Sequence, residues 1–134
     1  MFRLNPEQLV FVTERHLATL TTLRADGSPH VVPVAFTWDA AAGVARAVAP
    51  SSSVKVRNAR RTSADGSAPR AALCQVDGGR WITLEGVIEV HEDAAEVADV
   101  VVRNTRRYGP LVPEPEAVVL RLRVDRVMAS TYMA

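Results

Sequence analysis

Cysteine occurs once in this chain, at Cys74, which excludes an internal disulfide framework and a cysteine-based zinc site. The three histidines, His16, His30 and His91, lack the close spacing of a metal-ligand pair, so no metal is expected. Charge of one sign is also missing. Lys and Arg number 16 and Asp and Glu 15, a formal net charge of +1, so no global field recruits nucleic acid or membrane. No apolar run approaches the length that spans a bilayer. Met1–Val12 carries Asn, Pro, Glu and Gln where a secretory leader needs an apolar core, and a cytoplasmic protein is the expectation. Lysine is nearly absent: Lys55 stands alone against fifteen arginines.

What is present fits one ordinary globular domain spanning residues 1–134, with 48% hydrophobic and 23% charged residues. Asn5-Pro6-Glu7-Gln8 has the form of a capping box with proline at the first helical position, and predicts a short helix ending near Arg15. Leu17–Arg24 alternates and reads as a strand. Ala25-Asp26-Gly27-Ser28 is a hairpin turn, and His30–Trp38 the return strand with His30, Val32, Val34, Phe36 and Trp38 on one face. Pro33 inside that strand marks an edge, a bulge or a place where a ligand meets the backbone. Further strands are expected at Val44–Ala49, Arg70–Val76, Arg80–His91 and Ala117–Val127. A helix is expected over Asp93–Tyr108, acidic in its first turn and basic in its last. Thr62–Pro69 and Gly109–Glu116 read as loops, the first of them mobile. Six strands joined mostly by hairpins predict a mainly β fold, a small antiparallel barrel.

Lys55 falls in the stretch with the most chemistry, Pro50-Ser-Ser-Ser-Val-Lys-Val-Arg-Asn-Ala-Arg-Arg61. Three hydroxyls, an amide and four cations open a short helix directly after a strand. Helix starts present free N–H groups to anions, and a nearby Lys or Arg neutralises the charge, so the segment is a candidate phosphate seat. The default alternative is a serine cap followed by a solvated arginine face. His30 lies on the return strand, where a histidine is by default a structural hydrogen-bonder rather than a proton donor. Cys74 reads as a small core residue, and Trp38 and Trp81 as core or interface aromatics.

Three stretches carry a resemblance to a known family: His16–Val34, Ser53-Val-Lys-Val-Arg-Asn58, and Leu73-Cys-Gln-Val-Asp-Gly-Gly-Arg-Trp81. Together they resemble the FMN-binding split β-barrel proteins related to pyridoxamine 5'-phosphate oxidase, and within them the branch that uses the deazaflavin coenzyme F420. The resemblance implies a six-stranded antiparallel split β-barrel acting as a homodimer, with cofactor sites at the subunit interface. It implies that the cofactor phosphate meets Ser51, Ser52, Ser53, Lys55 and Asn58. Arg57, Arg60 and Arg61 would lie toward the anionic tail, and the ring along Val32, Pro33 and Val34, approached by Gln75 and Trp81. The activity implied is reduction of a conjugated, biliverdin-like small molecule by hydride transfer. The cofactor does that chemistry, so no catalytic triad or dyad is expected. The rivals are an FMN-dependent oxidoreductase on the same fold and a non-enzymatic flavin- or haem-binding module. Nucleic-acid binding is disfavoured, because the arginine patch lacks interleaved aromatics. The half-open barrel argues for a dimer as well, since the faces Val32/Val34/Phe36 and Ile82/Leu84 look too apolar for one chain to cover.

Overall fold

The computed structural model describes residues 1–63, 65–110 and 116–134. Its elements run α1 (Pro6–Phe11), β1 (Ala18–Leu23), β2 (Pro29–Val34), β3 (Thr37–Asp39), β4 (Val44–Pro50), α2 (Val54–Arg60), β5 (Arg70–Asp77), β6 (Arg80–His91), α3 (Ala94–Tyr108) and β7 (Ala117–Ala129). A 3-10 turn follows at Thr131–Met133. The described strands form one antiparallel sheet in the order β2-β1-β5-β6-β7-β4-β3. No helix among the described residues is long and apolar enough to cross a membrane.

Seven strands stand where six were expected, because the His30–Trp38 segment is two strands. β2 pairs with β1 at one edge of the sheet, and β3 pairs with β4 at the other. Only Ala35 and Phe36 separate them, and two extended residues span roughly 7 Å. The sheet must therefore curl until its two edges lie side by side, which makes a barrel split along that seam. Pro33 occupies an edge strand, one of the places a residue without an N–H is tolerated.

The linking residues are pinned by the last turns of α3. Arg107 donates from Nη1 to Phe36 O at 2.6 Å, and Asn104 Nδ2 donates to Ala35 O at 3.4 Å. The Tyr108 hydroxyl accepts from Phe36 N at 3.3 Å and donates to His16 O at 2.8 Å. Helix α3 is placed for this by Asp93, whose carboxylate caps it at Glu96 N, 3.0 Å away. The expected capping box of α1 is present, with Asn5 Oδ1 accepting from Gln8 N at 2.8 Å and Gln8 Oε1 from Asn5 N at 2.9 Å. That helix stops at Phe11 rather than near Arg15, and Asn5 and Gln8 both donate onward to Met133 O.

Strands β6 and β7 are long, and β7 carries a bulge. Glu85 pairs with Arg126 but Gly86 with Val124, leaving Asp125 as the extra residue. Inward-facing Leu20, Val34, Phe36, Leu73, Ile88, Leu120 and Leu122 fill the barrel and leave a residual cavity of only about 20 Å³. That is room for about one water, which needs roughly 10–15 Å³, and far too little for a ligand. A ligand of this barrel must bind outside its interior.

The described residues of the Thr62–Pro69 loop are a hydrogen-bonded turn. Ser63 N donates to Ser67 O at 3.0 Å, and Asp65 Oδ1 accepts from the Ser67 hydroxyl at 2.6 Å. Ala64 lies outside the described residues, as does 111–115 of the expected Gly109–Glu116 loop.

Candidate functional site

The segment opening α2 leaves β4 at Pro50. Ser51 N is bound to Glu116 O at 3.1 Å, and the Ser53 hydroxyl turns back to Pro50 O at 2.8 Å, so Ser53 makes no side-chain cap. Ser52 is exposed and Lys55 half-buried. With seven residues, α2 has little macrodipole to offer. The positive charge of this place comes from its side chains.

Those side chains are not equivalent. Arg60 pairs with Glu92 at 2.7 Å. Arg61 folds back onto Leu23 O at 3.3 Å and Asn58 Oδ1 at 3.0 Å. Lys55 and Arg57 have no carboxylate within 4.0 Å among the described residues. Arg70, near the loop, is held bidentate by Asp125 at 2.7 and 2.8 Å. The expected Arg57, Arg60 and Arg61 cluster thus reduces to one uncommitted guanidinium, Arg57, beside the uncommitted ammonium of Lys55.

Asn58 is 3% exposed and donates from Nδ2 to Thr22 Oγ1 at 2.9 Å. Thr22 lies directly opposite His30 across the β1–β2 ladder, so α2 packs over the end of that pair. His30 Nδ1 is buried and has no hydrogen-bond partner. An orphaned polar atom of this kind costs free energy unless something outside the chain completes it. It lies on the strand expected to carry a cofactor ring, next to the segment expected to carry its phosphate. β2 also keeps one backbone edge unpaired. The residues present therefore fit a phosphorylated, ring-bearing cofactor.

The other expected contacts divide between the two faces of the sheet. Val34 is buried and Val32 half-buried on the inward side, while Pro33 is exposed on the outward side. Gln75 points inward at 1% exposure, donating to Phe11 O at 2.8 Å and accepting from Arg107 at 2.6 Å. Trp81, paired with Val76 at the far end of β6, points outward and is 36% exposed. Within one chain, Gln75 and Trp81 are not brought together.

The outward face also holds two corrections. Cys74 is half-buried there rather than in the core, because its neighbours Leu73 and Gln75 take the inward positions. Val34, Phe36, Ile82 and Leu84, expected as uncovered faces, are buried within their own chain. The uncovered surface is the opposite one. Across β2, β1, β5 and β6 run Pro33, Thr19, Cys74 and Thr83, with Val31, Thr21, Ala72, Leu17, Val76 and Trp81 around them. None of these is charged, but the row Val31–Thr21–Ala72 ends on Glu85 of β6, and Arg70 closes the same face of β5.

Glu14, His16 and Asp77 bring ligand atoms within 4.8 Å of one another. Arg80 already meets both carboxylates, reaching Glu14 at 2.8 Å and also contacting Asp77. Its hydrogen bond holds the Glu14 carboxyl below the usual glutamate range. A guanidinium thus occupies the role a metal ion would take. The sequence did not reveal this group, nor Arg107 and the orphaned His30 atom, since each depends on contacts distant along the chain.

Comparison with known proteins adds an independent line. The family described as pyridoxamine 5'-phosphate oxidase matches residues 4–130. An F420H(2)-dependent biliverdin reductase of Mycobacterium tuberculosis (strain CDC 1551 / Oshkosh) is 44% identical over 128 residues, covering 96% of this chain and 89% of that protein. Among solved structures, a conserved hypothetical protein of Mycobacterium tuberculosis superposes with a TM-score of 0.79 at 24% identity, covering 97% of this chain and 86% of that one. An F420 reductase gives 0.70 at 23% identity, with 91% and 94% covered. The haem storage protein HutZ of Vibrio cholerae gives 0.71 at 19%, with 96% of each covered. At such identities the structural likeness speaks for the split-barrel fold alone.

Proposed function

Because the chain belongs to the pyridoxamine 5'-phosphate oxidase family, we propose that it is an oxidoreductase using F420H2 to reduce a conjugated acceptor by hydride transfer. The observation that carries this is the 44% identity, over nearly the whole chain, to an F420H(2)-dependent biliverdin reductase. A biliverdin-like tetrapyrrole is accordingly the class of acceptor. When bound, the reduced deazaflavin supplies the hydride, and the protein's work is to bind and orient. Lys55 would hold the cofactor phosphate, with Ser51, Ser52 and the remaining N–H of Asn58 around it, while Ser53, whose N–H and hydroxyl both go to Pro50 O, would shape the turn. His30 Nδ1 adds a polar contact on the neighbouring strand. The ring would lie along the open edge of β2 at Val32, Pro33 and Val34. Arg57 faces solvent beside Lys55, where an anionic tail would leave the site.

The uncharged stretch of the outward face, from Pro33 across Thr19 and Cys74 to Thr83, supports a homodimer, and Trp81 would reach the ring from the second copy. The expected mass in solution is then twice 14.5 kDa. Thr19→Glu places a carboxylate in the middle of that face, and light scattering should find the variant monomeric. A monomeric wild type at micromolar concentration would refute the dimer. A cytoplasmic location is part of the same proposal, in keeping with a free thiol at Cys74.

Binding titrations test the cofactor. A hydrogen bond to a charged group is worth roughly 1.5–3 kcal/mol, so Lys55→Ala should weaken F420 binding by about tenfold to a hundredfold. Arg57→Gln should cost about 1 kcal/mol or less through screened charge, and the loss should shrink as salt is added. FMN lacks the tail, so Arg57→Gln should leave its affinity unchanged. FMN binding more tightly than F420, with Arg57→Gln neutral toward both, would transfer the site to FMN, the cofactor of the rival reading.

A further inference from the structure

A cleft of about 400 Å³ opens between α1, β3 and the last turns of α3. Leu9, Val12 and Trp38 give it an apolar floor, Arg103 and Arg106 stand at its rim, and Arg107 lines its back. None of its lining residues comes from β2 or from the Ser51–Asn58 segment. Its volume falls within the range of small-molecule sites, about 300–1,000 Å³.

The charge of this cleft is unbalanced. Arg107 is half-buried, and its hydrogen bonds go to neutral acceptors: Glu14 O, Phe36 O and Gln75 Oε1. Its guanidinium also lies over the Phe36 and Tyr108 rings, at 4.6 and 4.9 Å. Among the described residues no carboxylate comes within 4.0 Å of Arg107 or of Arg106. Arg103 has Asp99 at 3.0 Å, but Arg46 claims the same carboxylate at 2.8 Å. Burial lowers the Arg107 pKa, a sign that its charge is disfavoured there, yet arginine stays protonated in proteins. A separate observation concerns Thr37. Its hydroxyl is buried without a partner, and the residue lines the cleft.

A cation short of a counter-ion beside an apolar floor selects for an anion with an apolar body. A bare phosphate or sulfate would meet the arginines but leave Leu9, Val12 and Trp38 uncovered. A neutral aromatic would cover the floor and leave Arg107 uncompensated. We infer that this cleft is a second binding site, separate from the cofactor segment, for a flat apolar molecule bearing a carboxylate. The carboxylate meets Arg106 and Arg107, and the ring system lies on Trp38.

The test uses 2-naphthoate as the probe and 2-naphthalenemethanol as its neutral counterpart, with the full chain carrying Trp81→Phe so that Trp38 is the only indole. Naphthoate should quench Trp38 fluorescence saturably, and the neutral alcohol should bind at least tenfold more weakly. Arg106→Gln should weaken naphthoate by about tenfold, while Arg57→Gln on α2 leaves it unchanged. Calorimetry of the two probes against the unsubstituted chain gives the same comparison without any variant. Equal affinity for the two probes, indifference to Arg106→Gln, or displacement of naphthoate by FMN or F420 would each overturn the inference. The last result would place the probe in the cofactor site.

Discussion

Gly86→Ala should destabilise this protein severely. A Cβ built on Gly86 falls 1.9 Å from Arg123 O and 2.9 Å from Val124 Cα, both backbone atoms of the neighbouring strand. Neither can swing aside as a side-chain tip would, because the bulge at Asp125 fixes the path of β7 there. Relief would require prising β6 from β7 at the longest pairing in the sheet. Core overpacking alone typically costs 1–3 kcal/mol, and loss of ladder hydrogen bonds adds to it, so a total of about 4 kcal/mol or more is expected. Against a typical total stability of 5–15 kcal/mol, that removes roughly a quarter to four-fifths of the total. Circular dichroism and the urea midpoint measure it directly. Gly27→Ala is the control: its Cβ meets nothing within 4 Å, though φ is +86°, so only modest backbone strain is expected. A Gly86→Ala protein as stable as wild type would mean that the β6–β7 strands lie farther apart than described.

Arg107→Ala should destabilise the protein by about 2–4 kcal/mol: Gln75 Oε1 is left unpaired, at about 1–3 kcal/mol, while the carbonyls of Glu14 and Phe36 each lose a donor but keep His16 N and the Tyr108 hydroxyl. Three acceptors are affected: the carbonyls of Glu14 and Phe36, and the Gln75 side chain. They belong to the turn after α1, the link between β2 and β3, and β5, so one guanidinium joins three parts of the barrel that are distant in sequence. Arg107→Lys keeps the charge but lacks the planar fork, and should recover only part of the loss. Urea unfolding of the two variants checks this. Equal stability of Arg107→Lys and wild type would show that charge, rather than the fork of hydrogen bonds, does the holding.

The contrast between Asn5 and Arg107 shows what the sequence could convey. The α1 capping box and the Asp26-Gly27 turn are settled by residues within a few positions of each other and are where the sequence places them, while Asp93, read as the first helical residue, is the cap of α3. Alternation likewise grouped side chains correctly, since Val34 and Phe36 share one side and are both buried. It could not report which strand each segment pairs with. That is why β2 and β3 read as one strand, and why the apolar faces first thought uncovered turn out to be the barrel interior. Cys74 shows the same limit, since an isolated small residue carries no label for inside or outside until Leu73 and Gln75 are both known to point inward. At the candidate site, Lys55 stood out by composition. The pairing of Arg60 with Glu92 joins residues 32 positions apart, which no local pattern records.

The two-residue link at Ala35–Phe36 also bears on solubility. An open sheet exposes two rows of unpaired N–H and C=O groups, each a template for adding a foreign strand and so for aggregation. Here both rows border the same seam, and each is blunted in its own way. β2 carries Pro33 and sits next to the charged hairpin tip Arg24–Asp26, while β3 is only three residues long. A chain seeking to extend this sheet finds a proline on one side and too short a partner on the other. What remains of the β2 edge is long enough to present backbone groups to a small flat molecule, yet a poor template for another polypeptide.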